Sequence, residues 1–158
     1  MKNIFFGLLV LGALASCSGN EGIEPKSLNA RADAEQDLQK WQLVEMSGSI
    51  ANVPPSTGSD MAWQEYYLLY ADSTFVKSRE QDGTITEASG TYALVTLPDG
   101  EYLELTYDSD NNLIGNCTAE AKELLFFQSA NKLIGTWQAC DGPGLVYDKV
   151  EGDASDDL

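Results

Sequence analysis

Lys77 and Arg79 are the residues of this chain best suited to holding a ligand. Bases are scarce, 9 against 25 acids, and these two stand at i and i+2. On an extended strand both side chains therefore leave the face that also carries Phe75. If that face looks into a cavity, the cations point towards its mouth, where they would meet a carboxylate or phosphate head while an aromatic wall holds an apolar tail. If it looks outward, the pair only tempers an acidic surface.

Other chemistry is thinly provided. The chain has no histidine, which removes the usual general base, the Ser-His and Cys-His nucleophile pairs and most zinc sites. Carboxylate pairs such as Glu101 with Glu104, or Glu65 with a partner across a hairpin, have the composition of an acid and a base. With 25 acids such pairs arise by chance, and solvated strand faces are their expected use. In "DSDNNLIG", Asp108, Asp110 and Asn112 alternate like the first ligands of a calcium loop. Leu113 then stands where the loop needs glycine and Ala119 where it needs glutamate, with Glu120 one place late. A plain loop is expected there, with no metal, no cofactor and no catalysis.

Three cysteines remain to be placed. Cys17 follows one basic residue, Lys2, and an apolar run from Ile4 to Ala15. That run is too short for a permanent span and has the layout of a secretory signal. The tetrapeptide Leu14-Ala15-Ser16-Cys17 resembles the lipobox of bacterial lipoproteins. The resemblance implies cleavage before Cys17, a diacylglycerol on its thiol, and, with Ser18 next, sorting to the outer membrane of a Gram-negative cell. Residues 1–16 are then a signal peptide, and 142 residues remain, the size of one domain. In that oxidising compartment Cys117 and Cys140 either form a disulfide, the favoured reading, or stay as two small buried thiols.

Loss of Lys2 leaves 8 bases against 25 acids. So acidic a chain is expected to bind no nucleic acid and to lack a basic patch for anionic lipid. Its partners are then the membrane, through the lipid on Cys17, and a small apolar or amphiphilic ligand, with the protein itself a monomer.

Residues 17–37 are small and polar with Pro25, and read as a lipidated tether. Residues 151–158, "EGDASDDL", read as an acidic mobile tail. Between them runs such as "KWQLVEMSG", "EYYLLYA", "TFVKSRE", "TITEASGTYALVT", "EYLELTYD", "LIGNCTA", "ELLFFQSA", "KLIGTWQAC" and "GLVYDKV" alternate, separated by turn sequences such as "QDG" and "LPDG". They predict an all-β domain over residues 38–150, an up-and-down antiparallel meander closing into a barrel of about eight strands. Aromatic residues including Trp41, Tyr67, Phe75, Tyr92, Tyr107 and Tyr147 alternate with polar ones. Either they fill the barrel, or part of it stays open as a cup walled by Phe75, Tyr92 and Tyr107.

"KWQLVE", "YYLLYADSTFVKS", "SGTYALVTLPDGEYLELTY" and "GLVYDKV" together resemble the lipocalin-like domains of bacterial lipoproteins. The resemblance implies a barrel opened by a tryptophan, Trp41, with a basic residue of the last strand, Lys149, stacked across it at the closed end. Gln39 stands where the glycine of the lipocalin G-x-W motif would be. It further implies a membrane-anchored, non-catalytic protein that binds a small, partly apolar ligand in the barrel. The rival expectation is a solid barrel that recognises a protein or glycan through its loops, above all "SIANVPPSTGSDMAW". A minor enzyme of envelope polymers is a third class.

Cys17→Ala is expected to abolish incorporation of a labelled lipid precursor and release the chain from the membrane fraction, or stall it as precursor. Normal membrane partition of the variant would disprove the anchor.

Overall fold

A computed structural model describes residues 38–48 and 53–150. The expected signal peptide, Cys17 with its tether, and the acidic tail lie outside the described residues. The alternating runs form β1 (Gln39–Ser47), β2 (Ser56–Thr57), β3 (Gln64–Leu69), β4 (Thr74–Gln81), β5 (Thr84–Leu97), β6 (Gly100–Tyr107), β7 (Lys122–Ser129), β8 (Lys132–Gly135) and β9 (Gly144–Val150). Consecutive strands from β3 to β9 pair antiparallel, β1 pairs with β3, and β9 returns to β1. The result is the expected all-β architecture, a closed eight-stranded antiparallel barrel, with β2 a short addition beside β1. Closure leaves the main strands no long free edge.

Turn chemistry sets the registers. Asp82 and Gly83 both take positive φ, 53° and 74°, the geometry of a two-residue hairpin turn that follows strand twist. Ser73, also at positive φ, follows Asp72, whose carboxylate accepts the Thr74 N–H at 3.0 Å and its hydroxyl at 2.6 Å.

The strand period of two then decides what fills the barrel. Inward positions include Trp41 and Leu43 on β1, Tyr67 and Leu69 on β3, Phe75 on β4, Leu103, Leu105 and Tyr107 on β6, Leu125 on β7, Leu133 on β8 and Tyr147 on β9, all buried. Gly90 of β5 stands between Phe75 and Tyr107 in the registers. A Cβ there would lie 2.9 Å from Phe75 Cε1, so its absence lets the two rings meet edge to face at 4.9 Å.

Three elements differ from expectation. Residues 113–119, read as a strand, belong to the loop between β6 and β7. The run from Lys132 is a strand only to Gly135 and then turns into a 3-10 helix, Trp137–Cys140. The long first connection, read as a loop without strands, contributes β2 and a second 3-10 turn, and tucks Met61 into the core at 7% exposure. The β6–β7 loop and the 3-10 helix before β9 close one end of the barrel, and the first connection adds β2 beside β1 at that same end.

That end carries the connections β1–β3, β4–β5, β6–β7 and β8–β9 and is called here the disulfide end. Cys117 and Cys140 are bonded, with Cα atoms 5.6 Å apart, tying the β6–β7 loop to the 3-10 turn before β9. At the opposite, terminal end β1 begins and β9 finishes. There Trp41 and Lys149 are direct register partners, with Nζ 5.9 Å from the indole centroid and the Phe127 ring edge-on to the indole at 5.9 Å.

Candidate functional site

Four charged side chains occupy inward positions near the disulfide end: Glu65 on β3, Lys77 and Arg79 on β4, and Glu123 on β7. Glu65 faces Arg79 and Tyr67 faces Lys77 in the β3–β4 register, while Glu123 faces Leu105 between β6 and β7. Strand alternation therefore sends all of them into one volume. The site is a buried circuit of alternating charge that runs Arg79–Glu65–Lys77–Glu123, with Arg79 and Glu123 at its two ends.

Lys77, fully buried, donates to Glu123 Oε1 at 2.9 Å and to the Leu113 carbonyl at 2.6 Å, and lies 3.3 Å from Glu65 Oε1. Arg79 donates through Nε to Glu65 Oε2 at 2.5 Å and through Nη2 to the Leu113 carbonyl at 3.4 Å, with its guanidinium 4.4 Å from the Trp63 ring. The remaining acceptor capacity of the carboxylates goes to hydroxyls and backbone. Tyr147 donates to Glu65 at 2.6 Å, Tyr67 to Glu123 at 2.9 Å, and Tyr107 and the Gly115 N–H also donate to Glu123.

Two acids thus meet two bases, and three phenols complete the acceptors, which is the condition under which buried charge is tolerated. The β6–β7 loop is part of the same circuit, because Leu113 and Gly115 supply its backbone partners. Burial is the largest cause, and the neighbouring carboxylates the next, that push the phenols of Tyr67 and Tyr147 well above their ordinary range; the same causes raise Tyr107. The three remain neutral donors under ordinary conditions.

The sequence-predicted ligand residues are all near this interior, in a different relation from the one expected. Phase with Phe75 is inward, and Lys77 and Arg79 follow it. They do not stand free at a mouth: Glu65 and Glu123 of the same chain occupy the place of an anionic head. Phe75 and Tyr107 pack on each other inside the core, and Tyr92, half-buried, donates its hydroxyl to the Tyr70 carbonyl at 2.9 Å. The suspected acid pairs are separated, since Glu65 pairs with Arg79, and Glu104 with Lys122 at 3.1 Å. Among the described residues no cluster of three or more His, Cys, Asp or Glu side chains is placed to hold a metal. Asp108 instead accepts from the Ser89 hydroxyl at 2.8 Å.

Glu123 was not singled out from the sequence. Its signal is the pattern Glu123-Leu125-Phe127, a charge heading an apolar set on one face, matched by Glu65-Tyr67-Leu69.

No protein-family model, no curated protein and no solved structure matches this chain.

Two outcomes follow from the circuit. Lys77→Met is expected to lower stability by about 3–5 kcal/mol in urea unfolding, and the double variant Lys77→Met/Glu123→Gln to recover part of that loss; equal stability of Lys77→Met and the parent would contradict the pairing. Alkali is expected to unfold the protein cooperatively. The raised phenol values mean that their share of stability is whole below the unfolded tyrosine value of about 10 and is lost as pH rises above it. Phenolate absorbance from the buried tyrosines should therefore appear only together with loss of near-ultraviolet circular dichroism.

Proposed function

We propose that this protein is a membrane-anchored, non-catalytic recognition module, in which the barrel is a filled scaffold and a protein or glycan is engaged on its outer surface. One observation carries the reading: the two cations best placed to hold a ligand inside the barrel are neutralised by Glu65 and Glu123 and covered by the loop carbonyl of Leu113. An anionic ligand entering there would have to displace a matched pair of buried carboxylates, and leave them unpaired. The absence of histidine and the pairing of each buried charge with an opposite one count against catalysis.

The surface at the disulfide end suits a polar partner. A cleft of about 270 Å³ lies there between Ser47, Gly48, Gln138, Asp141, Gly142 and Gly144. Hydroxyl, amide and carboxylate groups are grouped along it on a base made firm by the disulfide and by Trp137, whose ring leaves no room for a Cβ at Gly142. Such a surface offers hydrogen bonds rather than apolar burial.

Titration with a fluorescent fatty acid tests the reading. No saturable change in probe emission and no shift of the thermal midpoint are expected. Stoichiometric binding of the probe would overturn the filled scaffold in favour of a ligand-carrying barrel.

A further inference from the structure

At the terminal end the β5–β6 hairpin runs past β4, whose last register partner on β5 is Thr91. β5 and β6 stay paired to Leu97 and Gly100 at the tip, and on the other side β7 follows β6 toward it, from Phe126 opposite Tyr102 to Ser129. Leu94 shares the inner face with Leu103, yet it is 72% exposed, and Leu97 at the tip is 42% exposed. Behind them Leu94, Val95, Thr96, Phe127 and Ala130 line a mainly apolar cleft of about 240 Å³ with Glu101 at its side. On the outer wall below, Tyr102 and Phe126 pack at 5.3 Å, and the Tyr102 hydroxyl donates to Asp99 in the turn at 2.8 Å. An apolar tip above an amphipathic aromatic ring is the arrangement that suits a membrane–water boundary.

Charge is distributed along the same axis. The described loops of the disulfide end carry Asp60, Asp82, Asp108, Asp110, Glu120 and Asp141 and no base. The terminal rim carries Lys40, Lys132 and Lys149 against Asp72, Asp99, Glu101 and Asp148, with Lys132 and Asp148 paired at 2.5 Å. Among the described residues the two other exposed large apolar ones, Val53 and Ile85, lie toward the disulfide end, and Ile85 faces Glu80 in the register. β1, the first described strand, starts at the terminal rim.

We propose that the β5–β6 tip is a membrane-docking edge: Leu94 and Leu97 sit in the interface of a zwitterionic lipid surface, and the acidic disulfide end points away from it. The inference rests on the lipid anchor of the proposed function. Apolar insertion rather than charge drives the docking, since the rim is nearly neutral and four further acids follow it in residues 151–158. Twenty residues between Cys17 and Leu38 span far more than the width of such a barrel when extended, at about 3.3–3.6 Å each. The tether therefore permits the contact without imposing it, and the apolar tip selects the orientation.

The test uses the full lipidated chain in phosphatidylcholine vesicles, with Leu97→Trp as reporter and Asp110→Trp as its counterpart at the far end. Lipid brominated in the upper acyl chain is expected to remove roughly half of the added emission at position 97, the depth of an interfacial residue, and none at position 110. Leu94→Glu in the Leu97→Trp chain is expected to abolish that quenching; both positions are exposed, so the fold is preserved. Equal quenching at both ends, or none at position 97 in a chain whose mass includes the diacylglycerol, would overturn the docking alone. A chain without that mass would overturn the anchor and the docking with it. Binding of a free fatty acid in the cleft of Leu94 and Phe127, with no bromolipid quenching, would assign the edge to a small ligand instead.

Discussion

Two carboxylates and two cations inside a small barrel are costly to desolvate, and each is tolerable only while the other three are in place. Glu65, Lys77, Arg79 and Glu123 meet that condition through distances of 2.5 to 3.3 Å and through the hydroxyls of Tyr67, Tyr107 and Tyr147. The circuit draws on β3, β4, β6, β7 and β9, so it ties together strands that are not neighbours in the sheet. It also recruits backbone: Leu113 and Gly115 are held at the barrel end because their carbonyl and N–H finish the hydrogen-bonding capacity of Lys77 and Glu123. The β6–β7 loop is therefore part of the core rather than a connection over it.

The same constraint specifies register. Slipping β4 by one residue against β3 would carry Lys77 and Arg79 to the outside and bring Val76 and Ser78 in, leaving Glu65 and Glu123 buried without cations. An apolar pair at those positions would penalise such a slip less, because an exposed leucine is a smaller fault than an unpaired buried carboxylate. Charge thus contributes uniqueness to the fold where apolar packing contributes most of the burial. The disulfide acts on the same loop from the outside, joining Cys117 to the turn that precedes β9. Covalent and electrostatic clasps at one end leave the other end to be closed by Trp41, Phe127 and Lys149.

This division of the barrel bears on what its surface can do. In the proposed reading the disulfide end, rigid and acidic, presents polar groups to a partner, while the terminal end, nearly neutral with an apolar tip, rests at the lipid surface. In that reading a lipid-anchored domain gains from such polarity, since an otherwise free orientation becomes a preferred one. In the same reading the interior is filled, and the outer positions of the described strands and loops are the surface open to a partner.

Much of the wall was legible in the sequence. Alternation over runs such as Gln64–Leu69 and Gly100–Tyr107 carries the strand period, Asp82-Gly83 carries the hairpin turn, and the order of the runs carries the meander. These are local properties: a period, a turn propensity, a place in the order of strands. The facing of β4 was not legible, because Phe75-Lys77-Arg79 and Thr74-Val76-Ser78 offer no clear apolar side. Residues 113–119 likewise look strand-like to local propensity, although their backbone is claimed by charges elsewhere. Only the tertiary structure brings Glu65, 14 residues from Arg79, and Glu123, 46 residues from Lys77, into one buried volume. Which face of a charged strand turns inward depends on whether opposite charge waits there, and that is decided by long-range pairing rather than by the sequence of the strand itself.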